Sequence, residues 1–458
     1  VAPVGTEQEN GAFLQNVILK APTGATITVA AGVYDVPQDD TVTLNNGTGF
    51  YLPIMQDNLT IIGEEGAVLT SSVETPGDSA WAMQNFITIA GNNVTLDGFT
   101  IIGKAQANKA IEVLGNKVTL KNLTLEVNEA NSEAFCGSIY FSPESGTVDA
   151  ALENILINQG FLTGAEGITG TIACNNVVID YIGCAYIGQE GFAPISNKIK
   201  DLIEVGEGGL TVKVDEDYTA SGLQTLISTV LAGTTVDLAA GTYDFTGIKN
   251  GDGYGLEIDN AITLRGAGDD TVILGGNEAG GLAGQAYVYI TADGVTISNL
   301  KFEGTHKVDD LVKVSSRNYV PAVDTVDNVT FESVTFTGKA KNYLNLHGRH
   351  NATVRNCKIG TEKLSGFGMP LSIAASKGVT VENSTIVGNL ISRSVNLTFK
   401  DTDENGYPFG SEVTFSGCDI AGSVVVDLFE SEKNEWNVAG LDGWTGKALG
   451  SSYIYSKA

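Results

Sequence analysis

The chain has 458 residues, with 54 acidic side chains against 26 basic ones and a formal net charge of -28. That balance argues against a protein that lives on nucleic acid or anionic lipid, and no apolar run reaches the roughly 18 residues needed to span a bilayer. With 56 Gly, only 10 Pro and abundant Val, Ile, Thr and Asn, the composition suits short strands separated by tight turns rather than long helices.

In chain order, the first residues, Val1 to Val4, carry no basic region followed by an apolar one. An export signal is therefore expected to have been removed already or never to have existed. Residues 11–21, GAFLQNVILKA, space their apolar side chains helically and predict one short amphipathic helix, followed at 24–35 by GATITVAAGVYD. The strand-and-glycine segment LTIIGEEGAVLTSS follows at 59.

From residue 94 a block recurs: VTLDGFTIIG at 94, VTLKNLTLEV at 118, VTISNLKFEG at 295, VTFESVTFTG at 329, ATVRNCKIG at 352, VTVENSTIVG at 379 and VTFSGCDIAG at 413. Each reads as a strand, a bend and a second short strand, and each follows another alternating segment, such as FITI at 86, AIEV at 110, YVYI at 287, LVKV at 311 and YLNL at 343. A constant coil with loops of variable length is the signature of a solenoid. The expected fold class is all-β, a right-handed parallel β-helix whose coils pair at about 4.8 Å and whose equal positions form ladders along the axis. Period two puts Ile87, Ile89, Ile111, Val113, Val288, Ile290, Val312, Val314, Leu344, Leu346, Leu371 and Ile373 inside. Asn122, Asn299, Asn356 and Asn383 stack at the bend, where their amides are expected to bond backbone groups left open by the turn.

The opening returns in mid-chain. SGLQTLISTVLAG at 221 repeats the helical segment, GTTVDLAAGTYD at 233–244 repeats the strand, and ITLRGAGDDTVILGG follows at 262. The duplication predicts two tandem helices, each with a short N-terminal helical cap over its first coil. The boundary is placed in IEVGEGG, near Gly206 to Gly209, giving domains 1–207 and 208–458.

Chemistry-bearing residues concentrate in the second domain. All three histidines, His306, His347 and His350, lie there, with Arg317, Arg349 and Arg355 nearby. From Lys339 to Lys363 six basic residues, Lys339, Lys341, Arg349, Arg355, Lys358 and Lys363, stand against one acid, Glu362, a basic island in an acidic protein. Tyr289, Lys313 and Asn345 occupy matching outward positions on three successive strands, so with Arg349 and Arg355 they are the candidate substrate-binding set, a groove for an acidic glycan. If the groove cleaves a uronic-acid polymer by β-elimination, Lys313 is the candidate base, Arg317 or Arg349 the carboxylate clamp, and His347, His350 or Tyr289 the acid. The first domain carries Thr88 and Glu112 in the equivalent row and is expected to be a spacer or an independent binding module.

Other signals are read as structural. The GDD at 268–270 is turn chemistry, and DTDENG at 401–406 is a polar loop that admits calcium (Ca2+) without full EF-hand spacing. Trp81, Trp436 and Trp444 are core or cap residues before they are sugar-stacking ones. The five cysteines, Cys136, Cys174, Cys184, Cys357 and Cys418, show no zinc spacing, and Cys357 and Cys418 fill a core position of the repeat.

AAGVYD and AAGTYD, each followed by a strand and a glycine turn, resemble the start of pectin-lyase-like β-helix proteins over nearly the whole chain. The run from LVKVSSRN at 311 to YLNLHGRHNATVRNCKIG at 343 resembles the active-site coils of the polysaccharide lyases that include chondroitinase B and alginate lyases, which act with calcium. Aligned on the inward residues, that family's lysine falls at Ser315 and its arginine at His347. The resemblance implies an extracellular or cell-surface protein with a polysaccharide partner. Binding, with or without cleavage, is the first reading, a lyase the second, and a structural adhesin the third.

Overall fold

A computed structural model of the chain describes residues 1–44, 47–71, 85–103, 109–127, 138–182, 193–248, 255–276, 286–315, 326–361, 368–374, 376–389, 393–398, 412–427, 437–450 and 452–457. Arg317, Lys363, the 401–406 loop, Cys136, Cys184, Trp81 and Trp436 lie outside them, as do the side chains of His306, Arg349 and His350. Contacts divide the chain into two compact units: unit 1 comprises 1–215 with 233–235, and unit 2 comprises 216–232 with 236–458. The Gly-containing stretch at 206–209 is not a linker. It is the turn between the strands Ile203–Val205 and Leu210–Val214, both of which pair in parallel with Thr169–Asp180 of unit 1. Gly209 takes φ 77° there, and the Gly208 N–H donates to Asn175 Oδ1 at 2.7 Å.

Each unit is built of parallel strands stacked coil on coil, consistent with a right-handed β-helix. In unit 1, Thr26, Thr60, Thr95 and Thr119 stand in register on one sheet. Beside them, Ile27, Ile61, Leu96, Leu120, Leu152 and Cys174 form a buried ladder. A second face stacks Leu52, Ile87, Ile111, Ile139 and Leu162 inward. Unit 2 repeats the plan with an outward threonine row, Thr263, Thr296, Thr330, Thr353, Thr380 and Thr414. Its inward row on the second face runs Leu256, Val288, Val312, Leu344, Leu371 and Val395. Full burial of each such aliphatic side chain contributes about 1.5–3 kcal/mol, and β-branched rows fit the pleat. Phe302 and Phe336 stack on adjacent coils with ring centroids 5.7 Å apart.

Of the four bend asparagines singled out, Asn122 works differently from expectation. Asn122, Asn154 and Asn176 all have φ between 50° and 55°, the left-handed region that asparagine tolerates better than most residues. Their amides bond one another along the axis rather than backbone: Asn176 Nδ2 donates to Asn154 Oδ1, and Asn154 Nδ2 to Asn122 Oδ1, both at 2.9 Å. The ladder starts on Asp97, which accepts from Asn122 at 2.7 Å.

Helix α1, Glu7–Leu19, begins earlier than its apolar spacing suggested, because Thr6 and Glu9 form a capping box. Gly11 lies where a Cβ would meet the Asp35 carbonyl, so the helix sits close on the first coil. Helix α2, Ala220–Thr229, is capped by Thr219 and ends at extended Val230, short of residue 233. The parallel stack of unit 2 ends on an antiparallel hairpin, Trp444–Leu449 with Ser452–Lys457, which pairs against Ser423–Asp427. Trp444 belongs to this hairpin, with Lys457 Nζ 5.7 Å from its ring centroid. Cys174 and Cys357 are buried and free of disulfides, whereas Cys418 is only partly buried.

Candidate functional site

The outward row on the second face of unit 2 runs Glu257, Tyr289, Lys313, Asn345 and Ser372, in unbroken parallel register on five successive strands. The threonine and asparagine rows repeat one residue type. This one changes chemistry at every coil. Lys313 is half-buried, its Nζ lies 5.8 Å from the Tyr289 ring centroid, and it has no carboxylate partner among the described residues. Tyr289 itself is only 4% exposed, so its ring backs the lysine and offers no open face to a sugar.

Asp310 precedes Lys313 on the same strand, Lys301–Val314, and is buried. One of its carboxylate oxygens accepts from Asn342 Nδ2 at 2.8 Å and the other from Asn345 Nδ2 at 3.0 Å. That grip fixes the Asn345 amide and leaves its Oδ1 buried without a hydrogen-bond partner among the described residues. His347 follows Asn345 by two residues on the same strand and is half-buried on the same face. Ser315, where the lyase resemblance puts the lysine, is buried.

Arg355 is not in this row. It ends the strand Thr353–Arg355 on a different sheet, paired with Thr330–Glu332, and its guanidinium takes Glu332 with both prongs at 3.2 and 2.8 Å. Two more cations of the basic stretch are paired with acids as well. Lys358 Nζ reaches Asp269 Oδ2 at 3.2 Å, and Lys341 Nζ lies 3.9 Å from Asp309. The acids that neutralise these cations come from other coils, which a count along one stretch of sequence cannot see. Asp269, in the GDD turn, also accepts from Thr335 Oγ1 at 2.7 Å. That hydrogen bond, then Lys358, holds its carboxyl below the ordinary value, against the opposing effect of burial. The turn thus ties several coils together.

Arg349 and His350 form a two-residue strand whose backbone pairs with Val326 and Asp327. Among the described residues no group of three His, Cys, Asp or Glu side chains converges as a metal ion would need, and no helix is long and apolar enough to cross a membrane.

On the equivalent face of unit 1, sequence reasoning named Thr88 and Glu112 but not Lys109 or Tyr140. There Thr88, Glu112, Tyr140 and Thr163 share one row. At the repeat position of Asp310 stands Lys109, and at that of Lys313 stands Glu112, so the two units carry opposite charges at the same two places. Glu112 is 3% exposed and accepts from Asn85 Nδ2 at 2.7 Å and Ser142 Oγ at 2.9 Å. The signal available in the sequence was KAIEV against DLVKV, a charge swap in matched repeats.

No protein-family model matches the chain, and no curated protein matches it in sequence. Solved structures of β-helix proteins do match it. The A-module of a mannuronan C-5 epimerase from Azotobacter vinelandii is 11% identical, with 95% of this chain and 98% of that one covered and a TM-score of 0.23. An alginate lyase of family PL6 is 10% identical, with coverage of 93% and 91% and a TM-score of 0.27. A surface adhesin of Streptococcus pneumoniae is 10% identical, with coverage of 98% and 96% and a TM-score of 0.25. At these identities and TM-scores the likeness carries no argument about the activity of this chain.

Proposed function

We propose that the chain is a secreted or surface-displayed pair of tandem right-handed β-helices that engages an acidic polysaccharide through the Lys313 row of its second helix. The observation that carries this reading is Lys313: a half-buried cation with no carboxylate partner among the described residues, in a protein of net charge -28, flanked in register by Tyr289 and Asn345. A cation kept from neighbouring acids is available to an anionic ligand, and the Tyr289 ring limits the side-chain entropy lost on binding. The Asn345 side chain, half-buried beside Lys313, is held in place by Asp310.

The same row has the parts for a lyase. Lys313 would take the proton next to the sugar carboxylate, the electron pair would form the new C–C double bond, and His347 would protonate the departing glycosidic oxygen. Arg317 and Arg349 are the candidate clamps for the carboxylate, and binding without turnover is the reading we hold.

The test incubates the protein with alginate, pectate, chondroitin and heparan, with and without calcium. Binding and the ultraviolet absorbance of unsaturated product are followed together. Binding without the chromophore, weakened by Lys313→Ala, supports the proposal. A chromophore lost in Lys313→Ala replaces it with the lyase, and absence of both for every polymer favours an adhesin.

A further inference from the structure

The corresponding face of unit 1 has its own unneutralised cation. Lys109 begins the strand Lys109–Val113, is half-buried, and holds its Nζ 3.6 Å from the centroid of the Tyr140 ring. No carboxylate lies within ion-pair distance of it among the described residues, although acids outnumber bases two to one in this chain. A partly buried cation without a counter-ion is costly to a fold, so a row that keeps one invites a ligand that completes it. Burial pushes the Lys109 ammonium below the ordinary lysine value; Glu112 opposes that shift and the nearby cation of Lys198 adds to it.

The neutral groups around Lys109 point the same way. Asn85 pairs with Lys109 across the strands and Thr88 with Glu112. Asn85 Oδ1, Thr88 Oγ1 and Ser138 Oγ are buried polar atoms with no hydrogen-bond partner among the described residues, and all three residues are at least nine-tenths buried. Asn85 and Thr88 stand in register with Lys109 and Glu112, so two of these atoms are unused polar capacity directly behind the charged pair. Glu112 is already satisfied by Asn85 and Ser142, so it serves as a fixed negative wall.

We infer that unit 1 carries a second, independent ligand site, centred on Lys109, Glu112 and Tyr140, for a sugar residue bearing a single anionic group. One half-buried cation, Lys109, beside hydroxyl and amide groups suits one charge accompanied by several hydroxyls, and the exposed Lys198 nearby adds to the attraction for an anion. A phosphate chain or nucleic acid would need several cations and would meet Glu112 and the negative field of the whole protein. Carboxylate and sulfate sugars share this chemistry. The site does not depend on the reading of unit 2.

The experiment uses the full chain, reductively methylated with isotope-labelled formaldehyde, so that each lysine reports as a dimethyl resonance and keeps its charge. The Lys109 signal is assigned by its loss in Lys109→Gln. Titrations with a uronic-acid tetramer, a sulfated tetramer, a neutral tetramer and inorganic sulfate are run on wild type and on Lys313→Ala. The expected result is a saturable shift of the Lys109 signal with an acidic tetramer that persists in Lys313→Ala, and none with the neutral one. A shift with the uronate alone assigns a carboxylate; with the sulfated sugar alone, a sulfate. In Lys109→Gln, affinity measured in the Lys313→Ala background falls about 10- to 100-fold, as for loss of one charge-assisted hydrogen bond. A Lys109 signal unmoved by either acidic tetramer, or moved equally by inorganic sulfate, overturns the inference, and the wild-type titration decides this even if Lys109→Gln does not fold. Weaker overall binding in Lys313→Ala with the Lys109 shift intact supports both readings. Loss of the Lys109 shift in Lys313→Ala overturns the independence claimed here.

Discussion

Gln224 treats the backbone of Glu257 as a neighbouring strand would: its Oε1 accepts the Glu257 N–H at 2.7 Å and its Nε2 donates to the Glu257 carbonyl at 2.9 Å. A helix side chain thereby covers backbone groups on the first strand of a solenoid face, which edge strands otherwise leave open. Gln224→Ala is expected to destabilise unit 2 by about 1–3 kcal/mol, two ordinary hydrogen bonds, in urea unfolding followed by circular dichroism.

Unit 1 uses the matching residue, Gln15, one-sidedly. Pro53 stands where Glu257 does and has no N–H to give, and Gln15 Nε2 donates to the carbonyls of Pro37 and Tyr51. Gln15→Glu, which swaps the donor for an anion facing two carbonyls, should therefore cost more than Gln15→Ala. Equal unfolding midpoints for the two variants would refute that role.

Asp269 predicts a pH signature. Its folded-state carboxyl is held below the ordinary value of 3.8, first by Thr335 and then by Lys358. A depressed carboxyl contributes stability that is complete above the unfolded value and lost as pH falls through the folded one. Wild type should lead Asp269→Asn at neutral pH, and the lead should close only below about pH 4. A gap that stays constant down to the acid transition would point to turn geometry instead.

The asparagine ladder separates conformation from hydrogen bonding. At Asn154, with φ 55°, alanine loses both amide bonds and must adopt left-handed backbone, at about 1–2 kcal/mol for the conformation alone. Asn154→Gly loses only the bonds. Glycine should melt higher than alanine by roughly 2–6 °C in calorimetry.

Arg355 and Lys313 should part company in glycan binding. Arg355 is committed to Glu332 on another sheet, so Arg355→Ala is expected to leave affinity within about twofold, while Lys313→Ala weakens it about tenfold or more. Surface plasmon resonance on an immobilised acidic polysaccharide measures both.

The coils were legible in the sequence because inward residues such as Val312 and Leu344 must match their neighbours above and below, and that constraint writes a repeat. The row of Tyr289, Lys313 and Asn345 followed from the same register. What the repeat could not show was anything that crosses coils from the side. Glu332 reaching Arg355, or Asp269 reaching Lys358 across a long stretch of chain, depends on side-chain length and coil height rather than on local pattern. The start of α1 was hidden for a simpler reason: Thr6 and Glu9 announce it through capping chemistry, whereas apolar spacing becomes visible only from Phe13 onward.

The core thiols carry a consequence for the making of the protein. Burial pushes Cys174 up to about 12 and Cys357 up to about 11, so at neutral pH neither supplies the thiolate that attacks disulfides. Closing the coils thus quenches their reactivity without any bridge being formed. Before closure the same two sulfurs have ordinary acidity, and in an oxidising compartment the nascent chain runs a race between stacking and mispairing. Mispairing of Cys174 and Cys357 should respond to the redox buffer during folding, and hardly at all once the solenoid is complete.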